Sequence, residues 1–280
     1  MSRNRQGMLA LGGAFLLAIL GVAAAARTDA PRGSDFWSSW QTLRMDARSV
    51  PFLSGTVELK ITASGETATL ETRTDARFFG ARVARSTTST VMDAASGRPI
   101  RYLSVSGKRA RRYTFGEHGY VVEKLKRNGG RDLPVEDWPV TSRAEHAYPL
   151  DGQGRPVAVF DYYGMLVRLG DLPLEGPGDE AVVHVATSKG PRAYRVIVAE
   201  RGSDERVVRD LRRGSERKLA SRTLRLRILP EDPSSENEGF LKMEGEMELW
   251  VEATSKTLIH ISGKAPKIPG RIRLVLAEIG

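Results

Sequence analysis

The sequence contains no cysteine. Disulfides, thiolate metal ligands, a lipidated cysteine and cysteine nucleophiles are therefore all excluded. An oxidising compartment remains compatible with this absence, because a chain of 280 residues can bury enough apolar surface to fold without covalent links.

Histidine is also scarce. The four histidines, His118, His146, His184 and His260, are scattered, and no H-E-x-x-H arrangement occurs. A catalytic zinc site needs its ligands at close, defined spacing. We predict no metal site.

Enzyme motifs are missing as well. The sequence has no G-x-S-x-G elbow and no phosphate-binding glycine loop, so neither a serine hydrolase nor a nucleotide cofactor is indicated. Ser215 to Lys218 matches S-x-x-K by chance, since S-D-N and K-T-G do not follow it. We predict no cofactor, no catalytic residue and no enzyme. The alternative, a hydrolase with no recognisable motif, would require a cleft joining distant groups such as His146 and Asp161.

The first residues have the pattern of an export signal. Arg3 and Arg5 precede an uncharged stretch from Met8 to Ala26, and Ala24 and Ala26 fit a signal-peptidase site. We predict that residues 1–26 are a signal peptide and that the protein is periplasmic or otherwise exported. The alternative is an inner-membrane anchor, with membrane contact through residues 8–26 if the segment is not cleaved.

The formal net charge is +9. The main interpretation of this basic surface is solubility; the alternative is an anionic partner, which for an exported protein would be lipid headgroups or acidic glycans and no nucleic acid. The densest basic run, Lys108 to Arg112, precedes Tyr113 and Phe115. We interpret this run as a solvated edge strand whose charges protect against aggregation.

Residues 27–54 resemble a linker. A short amphipathic helix is predicted within it, with Ser34 as the N-cap and Phe36, Trp40 and Leu43 on one face. This apolar stripe is expected to dock on the domain that follows.

Residues 55–280 are predicted to form a single β-rich domain, because apolar and polar residues alternate with period two. Two segments interrupt the alternation. Gly129 to Pro156 is interpreted as a long connection, and Asp161 to Leu169 as a helix with Asp161 as its N-cap, ended by Leu172-Pro173.

The last third of the chain has the clearest alternation. One polar strand face, at residues 223–228, is basic, and the next, at residues 244–252, is rich in glutamate. If the two strands pair through the loop Pro230 to Gly239, each Arg–Glu pair would contribute about 0.2–1 kcal/mol. Much of the basic excess is therefore interpreted as sheet architecture.

Several of these segments resemble the bacterial exported family known as domain of unknown function 3108. The segments that carry the resemblance are Thr87 to Met92 with Asp93 and Gly97-Arg98-Pro99, Asp161 to Arg168, Glu248 to Val251, Leu258 to Lys264 and Gly270 to Leu276. The chain departs from the family at Gly164, where a serine is expected. The resemblance implies an exported β domain and supplies no activity or catalytic residue.

Taken together, these features predict a mainly antiparallel β fold: a curved sheet closing toward a barrel or half-barrel, with one inserted helix and a short N-terminal helix. Such a fold can enclose an apolar cavity. The leading hypothesis is an envelope binding or carrier module for a lipid or other hydrophobic ligand, with Tyr162, Tyr163, Arg168 and Trp250 lining the cavity. The alternative is a structural module that binds another envelope protein. A filled interior would count against the carrier.

Overall fold

The computed structural model describes residues 40–47, 53–128, 133–232, 239–265 and 270–280. These residues form fifteen β-strands and one α-helix, α1 (Tyr162–Arg168). The strands are β1 (Thr42–Ala47), β2 (Leu53–Ser64), β3 (Thr67–Phe78), β4 (Ala81–Asp93), β5 (Pro99–Ser106), β6 (Arg109–Phe115), β7 (Gly119–Lys126), β8 (Val140–Ala147), β9 (Val159–Phe160), β10 (Glu180–Thr187), β11 (Gly190–Asp210), β12 (Ser215–Pro230), β13 (Glu244–Glu252), β14 (Leu258–Lys264) and β15 (Arg271–Ile279).

All fifteen strands belong to one sheet, in the order β8 to β1 followed by β15 to β9. Neighbours in this order are antiparallel except β9 and β10. Most connections are short; Gly107, for example, takes a φ of 58° in the turn between β5 and β6, a conformation that glycine adopts without steric cost. The first and last strands, β1 and β15, meet in the middle of the sheet.

The sheet closes on itself at one end. β11 pairs not only with its sequence neighbours but also, in parallel, with β15 through Arg209–Glu278 and Asp210–Ile279. β11 to β15 therefore form a five-stranded ring, here called the closed ring. β2 to β8 form an unclosed meander, here called the open half.

The open half curls back toward the ring end of the sheet. The hydroxyl of Tyr120 on β7 donates to the carbonyl of Thr187 at 2.9 Å and accepts from its amide at 3.1 Å. Because this contact joins β7 to the end of β10, the inner face of the sheet is concave. The prediction of a curved antiparallel sheet with one inserted helix is confirmed.

Helix α1 lies against the inner face, between the two halves. Its N-cap is Asp161, whose Oδ1 accepts from the amides of Tyr163 at 3.0 Å and Gly164 at 3.1 Å, as the sequence predicted. Met165 packs in the core of the closed ring, whereas Val167 packs with the apolar residues of β2 and β3.

The Arg–Glu ladder predicted for the last third is present. Arg227 lies opposite Glu248 in the β12–β13 register and forms a two-pronged ion pair with Glu246. Arg225 and Arg271 also pair with Glu248. These three basic residues of the closed ring are therefore matched by acidic residues of β13.

Three expectations were wrong. Leu43 lies on the buried face of strand β1 and not on a helix, because pairing with both β2 and β15 favours the extended backbone. The sheet therefore begins before residue 55, where the β domain was predicted to start. The connection Gly129 to Pro156 contains strand β8. β6, which carries the basic run, is not an edge strand, because β5 and β7 pair with its two sides.

The predicted leader at residues 8–26, and the rest of the predicted N-terminal helix at residues 34–39, lie outside the described residues. Within the described ranges, no helix has the length and apolar character needed to cross a bilayer.

Candidate functional site

The interior of the closed ring is filled by its own side chains. Leu226, Leu249 and Val251 are completely buried and pack together with residues of α1. A small enclosed cavity beside α1, lined by Trp40, Leu166 and other residues, has a volume of ≈ 10 Å³, which is about the space of one water molecule. That space is far too small for a lipid tail.

The residues predicted to line a cavity occupy different places. Tyr162 meets Phe240 edge-on at 5.4 Å in the ring core. Tyr163 is half-buried and packs against the apolar residues of β2 and β3. Arg168 forms an ion pair with Asp171 at 2.7 Å.

Trp250 lies elsewhere. It alternates with Leu249 and Val251, whose side chains are buried inside the ring, so its own side chain faces outward. There it stacks on His260 with the ring centroids 4.3 Å apart. The structure therefore brings Tyr162, Tyr163 and Arg168 together on α1 and places Trp250 on the opposite face of the sheet.

The inner face of the open half carries a continuous polar surface, which the ladder register defines. Thr72, Thr88 and Ser104 lie directly opposite one another on β3, β4 and β5, and Thr74, Ser86 and Ser106 form the neighbouring row. We call these six residues the hydroxyl ledge. Residues directly opposite in an antiparallel ladder share a face, so all six point to the side where α1 packs.

The same two rows continue onto β6 and β7 as basic residues. Ser104 faces Arg111, which faces Lys124, and Ser106 faces Arg109, which faces Lys126. These four basic residues, here called the cationic square, are all exposed. None of them has a salt-bridge partner within the described ranges.

Part of the ledge is buried with its hydrogen-bonding capacity unused. The Oγ1 atoms of Thr72 and Thr88 are buried and find no hydrogen-bond partner among the described residues. The hydroxyl of nearby Thr90 and the carboxyl group of Asp161 are also buried and interact with each other. Buried polar atoms are nearly always satisfied by protein or by ordered water. The two unsatisfied hydroxyls of Thr72 and Thr88 lie directly opposite each other on β3 and β4, so this part of the ledge has hydrogen-bonding capacity that an ordered water or another polar group can use.

Asp161 is the charged member of this group. Burial raises the pKa of its carboxyl group, while the hydrogen bond from the Gly164 amide and the nearby Thr90 hydroxyl act in the opposite direction. A Cβ at Gly164 would lie 2.7 Å from Oδ2 of Asp161, so glycine at this position leaves room for this carboxylate. Its role here is to cap α1.

Aromatic residues of the open half lie on the same face, in the row next to the polar rows. Tyr102 and Tyr113 are buried, with their ring centroids 5.3 Å apart. Burial raises the pKa of Tyr113 to about 12, so its hydroxyl stays neutral. Because these rings are covered, they are not available to stack on a ligand.

A second feature is an open groove of ≈ 440 Å³ at the ends of β6, β7 and β8. It is lined by Phe115, His118, Tyr120, Glu145 and His146, among others, and the rings of Tyr120 and His146 lie 5.2 Å apart. His146 thus lies at the free edge of the sheet, while Asp161 is buried at the N terminus of α1. Across the described residues, no group of three or more His, Asp or Glu could hold a metal ion.

The sequence analysis missed the hydroxyl ledge, although its signal is present. Five successive strands carry a polar–x–polar triplet: Thr72-Arg73-Thr74, Ser86-Thr87-Thr88, Ser104-Val105-Ser106, Arg109-Ala110-Arg111 and Lys124-Leu125-Lys126. Only the strand register shows that these triplets lie side by side.

A scan against models of protein families finds no match for this chain, and a search of curated proteins finds none either. Among solved structures, the chain is similar to the crystal structure of a beta-barrel-like protein of domain of unknown function DUF1849 from Brucella abortus. The alignment covers 85% of this chain and 95% of that chain, with 10% identity and a TM-score of 0.47. We draw no functional conclusion from so remote a likeness. It does not test the resemblance to domain of unknown function 3108, which stays a prediction.

Proposed function

We propose that this protein is a non-enzymatic binding module of the cell envelope and that it holds a polar ligand on the inner face of its open half. The observation that carries the proposal is the hydroxyl ledge, where buried Thr72 and Thr88 lack hydrogen-bond partners among the described residues. Leaving a buried hydroxyl unpaired costs about 1–3 kcal/mol. A polar ligand or ordered water would recover that cost.

A carrier that encloses an apolar ligand has less support. Such a ligand needs an apolar cavity of about 300–1,000 Å³, whereas side chains such as Leu226 and Leu249 fill the closed ring. If the ligand is a lipid, its polar headgroup is the part that fits the ledge.

The envelope location is part of the proposal. It is supported by the sequence pattern of residues 8–26, and the absence of cysteine is compatible with it. Fusing residues 1–30 to a reporter that is active only after export would test it; activity equal to that of the leaderless reporter would contradict it.

Native purification from the envelope fraction, followed by mass spectrometry of bound small molecules, tests the ligand site. Ser106→Trp fills an exposed position of the ledge. Thr87→Trp is the matched control, because Thr87 is exposed on the opposite face of β4, between Ser86 and Thr88. We expect a polar ligand to co-purify with the wild type and with Thr87→Trp but not with Ser106→Trp. A ligand retained equally by all three would contradict the proposal.

A structural, protein-binding module is the second candidate. Strand β8 favours it, since among the described strands β8 pairs only with β7 and nearly all its side chains are exposed. An unpaired strand edge can add a strand from another chain. A reproducible protein partner without any bound small molecule, lost when Arg143→Pro removes a backbone N–H from the free edge of β8, would favour this alternative.

A further inference from the structure

The cationic square is an arrangement that a β-ladder normally avoids. Arg111 lies directly opposite Lys124, and Arg109 directly opposite Lys126. Side chains opposite each other in an antiparallel pair have Cβ atoms about 4.5–5.5 Å apart, and like charges at these positions are destabilising. Four positive charges are therefore held together within the area of two ladder pairs.

No carboxylate among the described residues relieves this repulsion. The basic residue on the opposite face of β6, Arg112, does have a partner, since its Nη2 lies 2.7 Å from Oε2 of Glu123. On β6 and β7 the outer-face arginine is thus neutralised, whereas the four basic residues of the inner face are not. Solubility alone would not require the charges to share one face.

The square is continuous with the hydroxyl ledge. The two rows run across β3 to β7, and neighbouring strands lie about 4.8 Å apart, so the combined surface is about 19 Å long. Its charged end is exposed at Arg109 and Lys126, and its far end is covered by α1 near Thr72. A ligand that matches it is extended, negatively charged and rich in hydrogen-bonding groups.

We infer that the ligand is an acidic glycan chain whose carboxylate or phosphate groups bind the cationic square while its hydroxyls bind the ledge; this rests on the proposed function. Arginine offers carboxylates and phosphates a two-pronged set of donors, and lysine offers a compact charge. Serine and threonine hydroxyls both donate and accept. They therefore match sugar hydroxyls, which do the same.

The surface fits two other polyanions less well. Single-stranded nucleic acid binds largely by stacking bases on exposed aromatic rings, whereas Tyr102, Tyr113 and Tyr120 on this face are all buried. A bilayer surface is flat on the scale of the protein. It would therefore contact the edges of a concave face and not the residues at its centre.

Binding measurements with defined probes on the full chain test the inference. The probes are a uronic-acid hexasaccharide, a neutral hexasaccharide, a single-stranded DNA of similar charge and vesicles containing anionic lipid. The test variant is Arg109→Gln with Lys126→Gln. The control is Arg73→Gln with Arg85→Gln, which removes the same charge from exposed positions on the outer face of β3 and β4.

We expect the acidic hexasaccharide to bind the wild type, and the square variant to weaken binding at least about tenfold, because charged hydrogen bonds are lost. The control should change it less than about twofold. If both variants lost affinity equally, the change in net charge alone would explain the loss, and the inference would be overturned.

Tighter binding of DNA or of anionic vesicles, lost in the square variant, would also overturn it. If the acidic hexasaccharide does not bind but the neutral one does, and Ser106→Trp abolishes that binding, the inference fails while the proposed function stands. If Ser106→Trp leaves ligand binding unchanged, the proposed function fails as well.

Discussion

The closed ring and the open half use positive charge differently. In the ring, Arg225 and Arg227 each have a glutamate partner on the neighbouring strand β13, and Arg271 pairs with Glu248 two strands away. On the inner face of the open half, Arg109 and Lys126 face each other and have no acidic partner among the described residues. The same basic composition is therefore arranged in two ways: these arginines of the ring are paired within the sheet, whereas the basic residues on the inner face of the open half are exposed. The two interiors also differ. The ring is packed with apolar side chains, whereas part of the inner face of the open half carries hydroxyl groups.

The largest expected effect is in the ring core. Leu226 is completely buried, and Leu226→Ala should lower the free energy of unfolding by about 2–5 kcal/mol through lost burial and the remaining cavity. Chemical denaturation measures it. Leu150→Ala is the matched control, because Leu150 is 64% exposed and its truncation should cost less than about 0.5 kcal/mol. Similar losses at both sites would show that the ring is not the packed unit described here.

The N-cap of α1 joins the two halves and comes next. Asp161→Ala removes the acceptor for two helix amides and should cost about 0.5–2 kcal/mol. Asp161→Asn keeps a good cap and should cost less. Urea unfolding of both variants at pH 7 gives the comparison, and equal costs would contradict a capping role.

The buried carboxyl group of Asp161 should also make the free energy of unfolding depend on pH. Burial raises the folded-state pKa of Asp161 above 3.8. The folded state therefore binds the proton more tightly than the unfolded state does. The resulting contribution to stability is fully present below about pH 3.8 and is lost as pH rises through the folded pKa. Asp161→Asn should not show this loss, so its stability relative to wild type should rise from pH 3.5 to pH 7. A constant difference across that range would contradict a raised pKa.

A smaller effect is expected at the ion pair between Arg227 and Glu246. Its N–O distances are 2.7 Å and 2.5 Å, but both side chains are partly exposed, so the coupling should be about 0.2–1 kcal/mol. The hydrogen bond from Arg227 lowers the pKa of Glu246 below 4.5, so this stabilisation is present above about pH 4.5 and is lost as pH falls through the folded pKa. A double-mutant cycle with Arg227→Gln and Glu246→Gln measures it at pH 7 and pH 3. A coupling that does not decline at low pH would count against the pair.

The smallest effect should have the opposite sign. Lys126→Gln removes repulsion from Arg109, directly opposite, and should raise stability by a few tenths of a kcal/mol at low salt. The gain should shrink as salt screens the charges. Lys60→Gln is the control, since Lys60 lies opposite Glu71 and its loss should not stabilise. Destabilisation by Lys126→Gln would show that Lys126 makes a favourable interaction within the chain.

Local patterns predicted the strands and the helix, because alternation and N-capping depend on residues close together in sequence. Such patterns predicted the buried faces of β12 and β13, the cap at Asp161 and the Arg–Glu ladder. Strand β1 was not predicted, because six residues flanked by turn-like sequence give a weak signal, and only pairing with β2 and β15 fixes their conformation. The closure of β11 onto β15 likewise has no local signal.

The candidate site was predicted less well than the fold. The sequence pointed to residues of α1 and to Trp250, on the assumption of an apolar cavity. The hydroxyl ledge could not be recognised, because each of its strands contributes only two ordinary polar residues and their meaning depends on alignment across strands. The basic run around Arg109 was noticed, but its neighbours on β7 were not connected with it before the register was known.

The position of β15 has a consequence for the order in which the fold can be assembled. Each strand of the open half pairs with its neighbours in the chain, so this half can form as soon as its own residues are available. β1 and the ring require β15, which is the last strand described. Until β15 arrives, Leu43 and Met45 lack half of their surroundings, and the edge of β1 is open to pairing with other molecules. The inner face of the open half would thus form before the ring that supports it, and this interval is where premature aggregation is most to be expected.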